Sequence, residues 1–127
     1  MDRDSRRRLG ALGERLAEQH LERAGYQILE RNFRCARGEL DIVAANPGSL
    51  VFCEVKTRVA GSRAGPAGPL DAIGAGKRRR LRLLAGEWLR ARAGAGPHRH
   101  SLRFDAVGVT VDRAGGLLAL EHVEGAF

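Results

Sequence analysis

Residues 38–58, GELDIVAANPGSLVFCEVKTR, constrain the fold of this chain more than any other stretch. Two arms rich in apolar and β-branched residues flank Asn46-Pro47-Gly48-Ser49. Such a segment supplies the fixed φ and the backbone freedom of a tight turn, so the pattern predicts an antiparallel hairpin. With the turn at Asn46–Ser49, Ala45 pairs with Leu50. Counting back along both arms then sets Asp41 opposite Glu54 and Glu39 opposite Lys56. Opposed residues carry Cβ atoms about 5 Å apart on one face, so two carboxylates would meet across the ladder. Like charges so placed destabilise a sheet unless one carboxyl takes up a proton or a cation lies between them. Lys56 follows Glu54 by two residues and projects from the same face, one pleat along. Leu50 and Phe52 share that face, while Leu40 and Ile42 fall on the face away from Asp41. Apolar residues on both faces imply that both are covered. The alternative is that Asp41, Glu54 and Lys56 are solvated strand charges.

The remaining elements follow from periodicity. Residues 5–24 predict a helix, with Ser5 as N-cap and Gly25 past its end. Leu9, Leu12, Leu16, Ala17, Leu21 and Ala24 recur at helical spacing, and Glu14 falls on the rim of that stripe. Glu18 and Glu22 point away from it. Gly10 and Gly13 fall inside it, which predicts a closely packed backbone against both. A strand is expected over 26–34, a loop of small residues over 59–70, a second helix over about 71–93 and a loop over 94–100. A second hairpin follows, 102–111 and 117–123 around a turn at Arg113–Gly116. Ile73, Leu81, Leu84, Ala85 and Trp88 share one face of the second helix. The expected fold class is therefore α/β, one domain over residues 1–127. Its mixed sheet runs helix-strand-strand-strand-helix-strand(-strand), with helices covering the sheet.

Charge narrows the partner. The 127 residues carry 22 basic and 15 acidic side chains, a net of +7. Residues 77–103 alone hold nine basic residues against Glu87. Such a stretch is either a solubilising face or the footprint of a polyanion. Twenty of the basic residues are Arg, and Lys56 and Lys77 are the only lysines. Lys77 lies within the apolar stripe of the second helix. It either snorkels at the helix end or reaches over the site to a substrate phosphate. Arg80 is the best further phosphate contact, with Arg78 beside it and Arg58 placed to line the cleft. The few aromatic residues sit at core-facing positions, so stacking on single strands is poorly supported. Duplex or branched nucleic acid held by its backbone fits better.

Other classes fall away. No apolar run approaches the roughly 18 residues of a membrane span. The charged start MDRDSRRRLG carries no apolar stretch, so a secretory signal is not expected and a cytoplasmic protein is. Cys35 and Cys53 form no CxxC and read as small buried thiols. His20, His98, His100 and His122 lack zinc spacing and are expected at the surface. Asp105, in RFD, is expected to pair structurally with an arginine. The GAGKRRR stretch lacks the spacing of a phosphate-binding loop.

Two acidic groups, a lysine beside them and a third acid on a helix rim describe a divalent-metal site. Mg²⁺ (or Mn²⁺) favours oxygen ligands and keeps several waters. It would polarise a phosphoryl oxygen and acidify a water, with Lys56 stabilising the charge that builds on phosphorus. The set Glu14, Asp41 and Glu54-Val55-Lys56 resembles the PD-(D/E)XK nuclease superfamily, and the order of elements is similar to that of archaeal Holliday-junction resolvases. More closely, GERLAEQHLERAGYQILERNFR, GELDIVA, LVFCEVKTR, RFDAVGV and EHVEGAF resemble the bacterial YraN-type family of small endonuclease-like proteins. Leu40 stands where the superfamily name has Pro. The resemblance implies a restriction-endonuclease-like core and Mg²⁺- or Mn²⁺-dependent hydrolysis of phosphodiester bonds in duplex, branched or damaged DNA. It implies Asp41 and Glu54 as metal ligands with the Val55 carbonyl as a further one, Lys56 as catalytic lysine, and Glu14 as an outer ligand through water. Resolving a junction calls for two sites, for which a homodimer is natural. Two competing expectations are a non-catalytic nucleic-acid-binding protein on the same fold and a protein whose basic helix meets an acidic partner.

Overall fold

The computed structural model describes residues 2–61, 75–92 and 101–127. Its elements are α1 (Arg3–Arg23), β1 (Gln27–Cys35), β2 (Gly38–Ala45), β3 (Ser49–Val59), α2 (Ala75–Ala91), β4 (Ser101–Val111) and β5 (Leu117–Val123). The five strands form one mixed sheet in the order β1-β2-β3-β4-β5. Only β3 and β4 are parallel neighbours. A parallel pair needs a crossover, and α2 lies within it. The α/β fold class is thus as the sequence predicts, and it is compatible with a restriction-endonuclease-like core. Among the described residues, no helix is long and apolar enough to cross a membrane.

Strand alternation sorts the core into two layers. Val51, Cys53 and Val55 of β3 join Ala17 and Leu21 of α1 on one face. Leu50 and Phe52 join Leu81, Leu84, Ala85 and Trp88 of α2 on the other. Burying each large side chain of this kind contributes roughly 1.5–3 kcal/mol. Both faces are covered, as expected. Ile73 and most of the 59–70 loop lie outside the described residues, as do residues 71–74 and 93–100.

The hairpin register is as read from the turn: Ala45 pairs with Leu50, and the pairing runs back to Ile42–Cys53. Asn46 Oδ1 accepts from the backbone N–H groups of Gly48 and Ser49, which closes the turn. The pleat beyond it is not as expected. Leu40 packs with α2 and Ile42 with α1, although two residues of one regular strand two apart share a face. The same rung of β1 is also broken, since Asn32 has a φ of 50°. Arg31 consequently meets Glu18 of α1 while Phe33 packs with α2. Asn32 and Asp41 occupy this rung, between the pairs Arg31–Ile42 and Phe33–Leu40.

Helix α1 starts earlier than predicted. Asp2 is its N-cap, accepting from Ser5 N at 2.7 Å, so Ser5 lies in the first turn. Asp2 wins because a carboxylate caps as well as a hydroxyl and lengthens the helix by a turn. Gly25, with φ 94°, follows the helix as expected, while Ala24 is exposed. Glu18 does not point away, because the bend at Asn32 brings Arg31 to it. The two inner-face glycines part company. A Cβ on Gly13 would fall 1.7 Å from Thr57 Oγ1, whereas one on Gly10 would meet nothing within 4 Å.

That difference predicts opposite signs for one substitution. Gly10→Ala should gain up to about 1 kcal/mol from helix propensity. Gly13→Ala should lose about 1–3 kcal/mol to overpacking despite the same propensity gain. Urea unfolding of both variants checks this, and a Gly13→Ala protein at least as stable as Gly10→Ala would refute the close approach of Thr57.

Candidate active site

The site begins where β2 leaves β3. Past Ile42–Cys53, the N–H of Val55 is taken by a side chain, donating to Asp41 Oδ2 at 2.8 Å. A strand N–H lies in the plane of the sheet, so the Asp41 carboxylate fills the gap between the two strands. The sequence set Asp41 and Glu54 across a ladder. The ladder instead ends one rung short, and the acid itself takes the place of a backbone partner.

Glu54 is buried, the neighbour of Val55, and it faces α2. Lys77, in the first turn of α2, places Nζ 2.5 Å from Glu54 Oε1. Lys56 Nζ lies 3.7 Å from the same oxygen. Lys77 thus belongs to the α2 stripe because it points inward, four residues ahead of buried Leu81. Snorkelling to solvent does not describe this position: the ammonium is on Glu54.

Glu14 approaches from α1 and is half-buried. With its amide nitrogen turned toward the acids, Asn32 donates to Glu14 Oε1 at 3.0 Å and to Glu39 Oε1 at 2.5 Å. The positive φ of Asn32, a conformation Asn tolerates better than most residues, aims that amide. Glu39 also pairs with Arg34 at 3.2 Å. Sequence reasoning placed Glu39 opposite Lys56 and missed its link to Glu14, which depends on the broken rung.

The electrostatics follow from crowding. Burial, then the charge of Glu54, push Asp41 up to about 7, against the pull of the Val55 N–H, and Glu14 and Glu39 add to the rise. Glu14 is raised by burial and by Glu39. Lys56 is lowered, first by its hydrogen bond with Lys77, then by burial. Lys77 is raised, because its bonds to Glu54 and Lys56 outweigh burial. Glu54 thus draws both lysines, while Asp41 lies among three acids with a single backbone N–H to oppose them.

The other candidates lie further out. Arg78 and Arg80 are exposed on α2, and the Arg80 side chain runs beside Gly38 at the start of β2. Arg58 is half-buried on β3, in register with Thr110. Arg82 stacks on Phe104, 4.8 Å from the ring centroid, and donates to the Phe127 carbonyl. It is structural.

Asp105 is structural too, as expected. It accepts from Arg103 Nε and Nη2, from Gly125 N and from His122 Nε2. Burial works against its charge, but Arg103, His122 and the Gly125 N–H hold it below the usual carboxylate range. His122 in turn meets His20 at 3.0 Å. These two histidines are half-buried, not at the surface, joined by a contact across 102 residues that no local spacing signals. His98 and His100 lie outside the described residues. Both cysteines are free. Cys53 lies within 4.8 Å of Asp105 and His122, but Arg103 already occupies both Asp105 oxygens.

The family model described as uncharacterised protein family UPF0102 matches residues 13–109. A UPF0102 protein of Kineococcus radiotolerans is 47% identical, covering 92% of this chain and 91% of that protein. One from Moorella thermoacetica is 45% identical over 97% and 98% respectively. A third, from Frankia casuarinae, is 46% identical over 94% and 95%.

Asp41 makes stability depend on pH in a defined direction. Its folded value of about 7 lies above the ordinary 3.8, so the folded chain binds this proton more tightly than the unfolded one. That contribution is complete below about pH 4 and is lost as pH rises through about 7. In EDTA-containing buffer, Asp41→Asn should flatten this decline and be more stable than the parent at pH 8, since Asn Oδ1 still accepts from Val55. Urea midpoints from pH 4 to 8 measure it; parallel curves for the two proteins would exclude a raised Asp41.

Proposed function

Within the uncharacterised protein family UPF0102, to which this chain belongs, we propose that it acts as a metal-dependent endonuclease. It would hydrolyse phosphodiester bonds in DNA, duplex, branched or damaged, as a member of the PD-(D/E)XK superfamily. One observation carries this reading. Asp41, fixed in the β2–β3 gap by the Val55 N–H, converges with Glu54, Lys56 and Glu14 from three different elements.

The donor set fits a hard divalent cation. It consists of the Asp41 and Glu54 carboxylates, with the Val55 carbonyl as a further oxygen, and such ligands suit Mg²⁺ or Mn²⁺. Cys53 faces the α1 layer, so no thiolate enters the set. Burial and Glu54 disfavour the Asp41 anion, which a divalent counter-ion would relieve. When bound, such an ion supplies Lewis-acid polarisation of a phosphoryl oxygen and a more acidic water.

The chain's own residues do the rest. The Val55 N–H fixes Asp41. Asn32 holds Glu14 and Glu39 beside it, within reach of the site through water. Lys56, its charge disfavoured by Lys77, presents an ammonium next to Glu54 that can stabilise negative charge growing on phosphorus or orient the attacking water. Lys77 neutralises Glu54 Oε1. A cation held by Glu54 would leave the Lys77 ammonium free to meet a substrate phosphate. Arg78, Arg80 and Arg58 add backbone attraction that weakens with salt.

A second reading, a non-catalytic nucleic-acid-binding protein, draws on the same Lys77, which already satisfies Glu54 without a metal. Cleavage of supercoiled plasmid and of a four-way junction in Mg²⁺ and Mn²⁺ separates the two. The parent should cut only with metal. Asp41→Asn, Glu54→Gln and Lys56→Ala should each lose at least 100-fold in rate while keeping DNA affinity within a few-fold. Variants that cut like the parent would falsify the assignment, and binding without any cleavage would favour the second reading.

A further inference from the structure

The inner face of α1 is packed by protein over only part of its length. Ala17 and Leu21 are fully buried, and Gly13 is pressed on Thr57. One turn earlier Leu9 and Leu12 still pack on the core, but Gly10 between them has open space where a Cβ would stand. A glycine within a helix costs about 1 kcal/mol relative to Ala, yet here no neighbouring residue uses the room it leaves.

That room is part of an open trough of about 680 Å³ between α1 and the β1–β2 hairpin. Asp4, Arg7 and Arg8 line its outer end, and Gly10 and Ala11 lie farther along the same face of α1. Glu14, Asn32 and Glu39 line its inner end, with Arg34 on the wall contributed by β1. A smaller cavity of about 190 Å³ shares Ala11, Glu14 and Asn32 with the trough and reaches Asp41. The trough itself runs from the arginines to Glu14 and Glu39, and the smaller cavity adjoins it at Glu14 on the side of Asp41. At about 1.5 Å per residue, Arg7 and Arg8 stand about 10 Å of helix rise from Glu14.

Charge is polarised along it. At the outer end Arg7 and Arg8 outweigh Asp4, and at the inner end Glu14 and Glu39 outweigh Arg34, which is paired with Glu39. An anionic chain is attracted at the outer end and repelled at the inner end, unless a cation sits among the acids there. This face of the sheet is the one opposite α2, so the trough is separate from Arg78 and Arg80.

We infer that the trough seats the backbone of the DNA strand being cut, on one side of the cut. Phosphates meet Arg7 and Arg8, and the sugar-phosphate chain passes over Gly10 and Ala11 toward Glu14 and Asp41. The inference rests on the nuclease reading for the identity of the strand, but its surface is distinct from the catalytic residues.

Anisotropy of a fluorescein-labelled duplex with the full chain, over a salt series and with Ca²⁺ supplied as the hard cation for the acids, tests it. Arg7→Ala/Arg8→Ala should weaken binding at least 10-fold and reduce the slope of log affinity against log salt by about 2, one for each lost phosphate contact. Gly10→Met changes no charge and replaces a poor helix former with a good one. It should keep or raise Tm yet weaken binding about 10-fold by filling the floor. If both variants bind like the parent, the trough is not the seat, and metal-dependent cutting by the parent would then leave the nuclease reading intact. If both lose binding while the parent cuts nothing in Mg²⁺ or Mn²⁺, the trough stands and catalysis falls. A parent that binds no duplex at all overturns both.

Discussion

One hydrogen bond organises the site: the Val55 N–H to the Asp41 carboxylate. A backbone N–H in a sheet cannot be left without an acceptor at small cost. Where β2 turns away from β3, the orphaned amide needs one, and the side chain of Asp41 supplies it. A hydrogen bond to a charged group contributes about 1.5–3 kcal/mol. Its geometric effect matters more. On a regular strand the carboxylate would face one helix or the other. Here it lies in the sheet plane, where Glu14 can approach from the α1 side while Glu54 and the lysines stand on the α2 side.

The charges gathered around it do not balance. Asp105 shows the contrast. It is fully buried where Asp41 is half-buried, yet it has an arginine fork, a histidine and a backbone N–H, and its charge is held firmly. Asp41 has one N–H and three acidic neighbours, and its charge is disfavoured. Lys56 and Lys77 are both directed at Glu54 Oε1, and each affects the charge of the other. A fold can carry such an imbalance by protonating the acid or by admitting a cation. Asp105 needs neither, which is why the same residue type is architecture at one position and candidate chemistry at the other.

What the sequence made legible was local. The turn chemistry of Asn46–Ser49 fixed the register from Ala45–Leu50 onward, and the apolar stripes of both helices marked their buried faces. The broken rung was not legible, because a positive φ at Asn32 is set by what its amide and its neighbours meet in three dimensions. Glu39 was lost with it, as was the placement of Leu40 and Ile42 on different faces. Lys77 was legible in position but not in target: the stripe said inward, and only the crossover of α2 over β3 says toward Glu54. His20 and His122 meet through strand order alone. Gly10 and Gly13 gave one signal with two outcomes, since periodicity reports a face and not whether a partner reaches it.

The pleat reversals at Asn32 and Asp41 lie on one rung, and that coincidence has a physical reason. Reversing the pleat of a single strand would leave its neighbour's side chains facing the wrong layer, with polar groups driven into one core and apolar groups into solvent. Reversing both strands together keeps Phe33 and Leu40 in the α2 layer while Arg31 finds Glu18 on α1. The sheet therefore tolerates the irregularity only as a pair, and the pair turns Asn32 toward Glu14 and Glu39 at the same step that puts Asp41 in the gap. Substituting either residue acts on both strands. Asn32 is thus coupled to Asp41 through the pleat as well as through the acids it holds.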